Sequence, residues 1–231
     1  MQNNVKKQKK PGKVIVDILL ALLIYFFCMF GLVVTTIKIV QQCIVLEPIY
    51  QRLVDSLSLS LASFFLIKRY PLEEKICLFD KYRIKILIKY GLPFGLSVAV
   101  LNFPYSYVYN GGTISPKAFI DPQQHYVFIL FFLFFAVFVS PIMEELFIRG
   151  CLFRILRTKF SFFVSTLAST CLFVFLHNIS SQYQFIRLFI ISLMLTFCYE
   201  FSKTLTASMI AHSIGNGIWY VMIYGHMYGI I

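Results

Sequence analysis

Negative charge is scarce in this chain: 10 of its 231 residues are Asp or Glu, and charged residues of both signs make up only 13%. Hydrophobic residues reach 59% and mean hydropathy is +0.78, a composition that excludes an ordinary soluble domain. No apolar run alternates with polar residues, which argues against a β-barrel. The six cysteines (Cys28, Cys43, Cys77, Cys151, Cys171 and Cys198) show no CxxC or other metal spacing, so they read as packing residues. There is no low-complexity linker and no internal repeat, and the missing repeat argues against a transporter built from two halves. The whole chain, 1–231, reads as a single integral-membrane domain.

What is present is apolar sequence in lengths that can cross a bilayer, which takes about 20 residues per helix. Candidate spans are 14–37, 53–67, 84–103, 126–148, 162–179, 183–200 and 204–224. This predicts an all-α polytopic membrane protein of about seven transmembrane helices, or eight, with the 53–67 stretch the weakest of them. The first segment is too long for a signal-peptide core and has no small-residue cleavage site, so it reads as a retained anchor. A net charge of +11 would suggest nucleic acid as a partner of a soluble protein, but here topology explains it. Of 21 Lys and Arg residues, 17 fall on one side if seven spans start from a cytoplasmic N-terminus, leaving Lys38, Arg52, Lys117 and Arg187 on the other. The partner this predicts is a lipid bilayer, and no nucleic acid.

Against this background, ionisable residues within spans mark candidate function. Asp17, Asp55 and Glu200 lie near predicted span ends and read as interfacial, as do His125 and His226. Deeper residues fall into three clusters. In "SPIMEELFIRG", Glu145 and Arg149 are i,i+4 and can pair, while Glu144 is turned about 100° away and is left for another task. Pro141 cannot donate to the Val137 carbonyl, which predicts a kink and a free polar backbone group beside the carboxylates. In "LFVFLHN", Phe173 and His177 share a helical face. In "AHSIGNG", His212 and Asn216 share another, with Gly215 and Gly217 allowing close approach to the backbone. Each cluster alone has an ordinary structural explanation: a buried ion pair, a structural histidine, interhelical hydrogen bonds.

Depth connects them. Glu144 lies 16 residues before the turn near residue 160, and His177 lies 17 after it. At about 1.5 Å per residue, antiparallel helices bring both to the same height, about 25 Å from the turn. His212, nine residues past Lys203, reaches the same inner half. A carboxylate and an imidazole can share and deprotonate one water, and a second imidazole and a carboxamide can donate to a developing oxyanion. Hydrolysis of a peptide bond by activated water is the natural chemistry of this set. Glu144, His177 and His212 could also hold a divalent metal such as zinc, and residue types alone decide neither way.

The motifs EExxxRG (Glu144 to Gly150), FxxxH (Phe173 to His177) and AHxxxN (Ala211 to Asn216) together resemble the CPBP intramembrane proteases. These are also called the CAAX prenyl endopeptidase and bacteriocin-processing, or Abi, family. The resemblance covers residues 121–231; residues 1–120 carry no matching motif. It implies a catalytic core made of the last four helices, with extra helices before it and a cavity open to the cytoplasm and the membrane. It implies Glu144 as general base, His177 as its partner on the water, His212 and Asn216 as the oxyanion site, and Glu145, Arg149 and Phe173 in support. On this reading no cofactor is required. The substrate would be a short or lipid-associated peptide, and the setting a bacterial cytoplasmic membrane. The competing expectation is a non-catalytic bacteriocin-immunity or membrane-scaffold protein, in which the polar set is structural and an outward loop such as 110–124 does the binding. Neither the cleaved bond nor the oligomeric state is written in these motifs.

Overall fold

The computed structural model describes residues 11–40, 47–72, 81–108, 126–177 and 179–227. The basic N-terminal stretch, Cys43, Cys77, the 110–124 loop with Lys117, and His125 lie outside the described residues, as do the side chains of Lys38 and His226. The described residues are all helical, without strands, and form seven long helices. They are α1 (Pro11–Val40), α2 (Glu47–Arg69), α3 (81–108), α4 (Tyr126–Arg157), α5 (Phe162–Phe175), α6 (Gln182–Ser202) and α7 (Leu205–Met227). The chain is an all-α, multi-pass membrane protein. By length and composition, Pro11–Gly31, Ile84–Asn102, Tyr126–Arg157 and Gln182–Ser202 can each cross a membrane, and α5 is a shorter apolar helix.

Helix ends follow local chemistry. Ser161 and Ser181 cap α5 and α6 by accepting the amide N–H of Val164 and Gln184. Lys203 adopts the left-handed conformation, φ 55°, which ends α6 and lets α7 begin after two residues. α4 runs 32 residues without a break, about 48 Å at 1.5 Å per residue, longer than a bilayer core is thick.

α4 is not a uniform α-helix. It widens into π-helical turns at Phe135–Val139 and again at Leu146–Phe153, a distortion that is frequent at functional sites. The first π turn moves the group orphaned by Pro141. The Ser140 amide donates to Phe135 O, five residues back. In that register the donor for Ala136 O would be Pro141, which has no N–H. The free carbonyl is therefore that of Ala136 rather than Val137, and Asn216 Nδ2 donates to it at 3.1 Å.

One apolar core joins α1, α2, α4 and α5 through Ala21, Leu66, Phe147, Cys151 and Phe173. A second joins α3, α6 and α7 through Val98, Leu195 and Ala211. A third links α4 and α7 through Phe132, Ala136 and Tyr220. The close approach expected at Gly215 is to another helix: a Cβ there would collide with Val98 of α3, and one on Gly95 would stand 2.8 Å from Ile214 Cβ.

Of the acidic residues expected at an interface, Asp17 is buried and Asp55 is half-buried within the bundle. Asp17 is 4% exposed, pairs with Arg69 Nε at 3.1 Å and accepts from Tyr70 Oη at 2.9 Å. Asp55 lies inside α2, which starts at Glu47 rather than at 53, and accepts from Tyr25 Oη of α1 at 3.1 Å. Glu200 does sit at a helix end, paired with Lys203 at 2.7 Å.

Candidate active site

α4, α5 and α7 bring the three sequence clusters together. Glu145 and Arg149 are both 0% exposed and pair at 2.7 Å, one turn apart on α4. The guanidinium continues to α6: Arg149 Nη2 donates to Ser192 O at 2.7 Å and to Ser192 Oγ at 2.8 Å. Its other face lies 5.0 Å from the centre of the Phe173 ring. Glu145 Oε1 has a second donor, His212 Nδ1 of α7, at 3.1 Å. The carboxylate expected to pair with Arg149 thus also reaches α7, and through Arg149 it is linked to α6.

Glu144 points the other way, as its 100° offset requires. Its Oε2 faces His177 Nε2 at 3.8 Å and His212 Nε2 at 3.9 Å. It has no hydrogen-bond partner, although it is buried. The far nitrogens of the two rings explain this gap. His177 Nδ1 lies 2.7 Å from the Phe173 carbonyl, which can only accept, so Nδ1 carries the proton. His212 Nδ1 faces the Glu145 carboxylate and carries a proton for the same reason. In the neutral rings both Nε2 atoms then present lone pairs to a third acceptor, Glu144 Oε2. These atoms cannot bond one another, but a water about 2.8 Å from each fits between carboxylate and imidazole and can donate to both. Phe173 packs beside both rings, 4.5 Å from His177 and 6.1 Å from His212, and fixes their planes.

Chemically, one carboxylate and two imidazoles with protonated far nitrogens is a donor set suited to zinc. The spacing is wide for it. Ligands about 2.0–2.1 Å from one tetrahedral ion stand about 3.3 Å apart, against 3.8 and 3.9 Å here. Among the described residues, no group of three His, Cys, Asp or Glu side chains is placed to hold an ion.

Several residues near this centre were not singled out from the sequence. Ser192 anchors Arg149, and Thr170 accepts from Ser192 Oγ at 3.4 Å. α2 turns a polar face to the site. Ser56 Oγ lies 3.3 Å from Ser140 Oγ, and Ser60 Oγ donates to Met143 Sδ at 3.1 Å. Arg52 donates to Tyr220 Oη of α7 at 3.3 Å. Asp55 and Arg52 both interact electrostatically with Glu144, and Arg52 also with His177. The visible signal was the low apolarity of α2, a helix with Arg52, Asp55, Ser56 and Ser60 at three- and four-residue spacing.

Fold and site define a polytopic helical membrane protein with a carboxylate–imidazole centre enclosed by its helices. Residues 126–218, from the start of α4 into α7, match the family described as type II CAAX prenyl endopeptidase Rce1-like. The match covers the last four helices, where the three motifs lie, and supports a CAAX-type intramembrane endopeptidase in general. No curated protein and no solved structure matches the chain.

Proposed function

We propose that this protein hydrolyses a peptide bond of a short or lipid-associated peptide inside the membrane, with water activated by Glu144 and His177. The observation that carries this reading is the convergence of Glu144 Oε2 from α4, His177 Nε2 from the turn that follows α5, and His212 Nε2 from α7 on one point where a water can bind. Glu144 takes a proton as the water attacks the scissile carbonyl, and returns it to the departing amine. His177, held by the Phe173 carbonyl, keeps its Nε2 lone pair on the same water. His212 bonded to Glu145 donates through Nε2 only as imidazolium. In that form it stabilises the tetrahedral oxyanion, and Glu145 balances its charge. Asn216 spends one amide hydrogen on Ala136 O and offers its second to the oxyanion.

No metal enters these steps, in keeping with the wide spacing of the three donors. If a divalent ion is held here, Glu144, His177 and His212 are its ligands, and it would supply an acidified water. On this reading the chain works in a bacterial cytoplasmic membrane with its N-terminus in the cytoplasm and the site open to that side, an orientation supported by the bias of its basic residues. A purely structural role, as in an immunity or scaffold protein, leaves unexplained why Glu144 Oε2 faces two imidazole Nε2 atoms with no hydrogen bond between them.

The test is release of a peptide product from an S-farnesylated CAAX-type peptide by purified protein in lipid nanodiscs. Glu144→Gln and His177→Ala are each expected to lower kcat at least about 100-fold, the scale of a lost general base, with unchanged thermal stability. Activity should survive exhaustive chelation, with no zinc found by elemental analysis. Undiminished cleavage by a folded Glu144→Gln protein would refute the mechanism.

A further inference from the structure

Resting on that reading, we infer that Arg52, with Tyr220 beside it, binds the free carboxylate at the C-terminus of the substrate peptide and thereby selects which bond is cut. A guanidinium at membrane depth is costly unless paired, and by default it marks a functional site. Arg149 has a carboxylate at 2.7 Å and two acceptors on Ser192. Arg52 is treated differently. It is half-buried, and among the described residues no carboxylate lies within ion-pair distance of it. Its bond is to the Tyr220 hydroxyl, at 3.3 Å. The nearest acid in sequence on its own helical face, Asp55, turns toward α1 and is held by Tyr25 Oη at 3.1 Å. Arg52 therefore faces α7 without an ion pair in contact, while it interacts electrostatically with Glu144, Asp55 and His177.

The ligand such a group calls for is a planar anion able to take two parallel N–H donors, and a carboxylate fits. The position argues for a terminal carboxylate. Ser56, one turn from Arg52, meets Ser140, one turn from Glu144. Arg52 and Glu144 are thus offset by eight helical residues, about 12 Å along the bundle. The α7 side agrees: Tyr220 and His212 are also eight residues apart. An extended peptide covers about 3.3–3.6 Å per residue, so a carboxylate on Arg52 places a bond about three or four residues upstream at Glu144. An internal Asp or Glu side chain would set no fixed distance from the chain end.

The experiment compares binding and cleavage of two forms of one S-farnesylated peptide, with a free C-terminal carboxylate and with a C-terminal amide. Binding is read by fluorescence anisotropy on the Glu144→Gln protein in nanodiscs, so that it does not depend on turnover. The free acid should bind about 10- to 100-fold more tightly than the amide, the range for a hydrogen bond to a charged group. Arg52→Gln should abolish the difference by weakening the acid alone, and Arg52→Lys should keep part of it because the charge remains. In the active protein, the same change should raise KM for the acid and leave KM for the amide unchanged. Lengthening the peptide by two residues at its C-terminus should move the cut by two residues. Equal binding of acid and amide, binding of neither, or an equal loss for both in Arg52→Gln overturns the assignment. Loss of cleavage in Glu144→Gln with the acid preference absent separates failure of this subsite from failure of the proposed chemistry.

Discussion

Glu144 and Glu145 are chemical neighbours in sequence and opposites in the fold. Glu145 is fully enclosed and its Oε1 is shared by Arg149 and His212, while Glu144 makes no hydrogen bond among the described residues and turns Oε2 toward the Nε2 atoms of His177 and His212. Exchanging the carboxylate for an amide separates the two roles. Glu145→Gln leaves a guanidinium buried without its counter-charge, and breaking such a pair costs about 3–5 kcal/mol. It also weakens the acceptor that holds His212 Nδ1, so both unfolding free energy in detergent and kcat should fall. Glu144→Gln should lower kcat alone. Equal losses of stability in the two variants would mean that the asymmetry is not there. Much of this was legible in the sequence: i,i+4 spacing for Glu145–Arg149, a 100° offset for Glu144, and equal distances from one turn for Glu144 and His177. What was not legible was which imidazole nitrogen meets which acceptor. The second donor to Glu145 comes from 67 residues away.

At the scale of elements, α4 shows how a break in backbone bonding is repaired from another helix. Sequence reasoning places the orphaned carbonyl at Val137, by counting back four from Pro141. The π turn counts back five, and a register change of this kind is set by packing that spacing does not reveal. The repair makes a coupling prediction. Asn216→Ala strips the donor from Ala136 O and should cost about 1–3 kcal/mol of stability, the penalty for an unpaired buried acceptor. Pro141→Ala restores an amide at position 141 that can donate to that same carbonyl. The two costs should therefore fail to add, with the double variant more stable than their sum predicts by about 1 kcal/mol. Simple additivity in chemical denaturation would show that Asn216 and Pro141 are not linked through Ala136. The same scale explains α2, whose modest apolarity made it the weakest candidate span. Arg52, Asp55, Ser56 and Ser60 face α1, α4 and α7 rather than lipid, so low hydropathy here reports proximity to the site.

For the whole molecule, the arrangement of charge and the number of helices make one joint prediction. Seven described helices cross an odd number of times if each spans the bilayer, so the two termini lie on opposite faces. The bias of 17 of 21 basic residues toward one set of loops predicts the N-terminus in the cytoplasm and the C-terminus outside. In that orientation Arg52, one of the four basic residues left on the other side, lies about two helical turns outward of Glu144, where a peptide entering from the cytoplasm would arrive carboxylate first. Alkaline phosphatase, which folds only outside the cytoplasm, should be active when fused after residue 231 and inactive when fused after residue 72. A fluorescent protein that matures only in the cytoplasm should give the reverse pattern. Phosphatase activity after residue 72 would invert the molecule. The basic loops would then face outward, Arg52 would lie on the cytoplasmic side of Glu144, and the direction of peptide entry inferred from the site would have to be reversed with it.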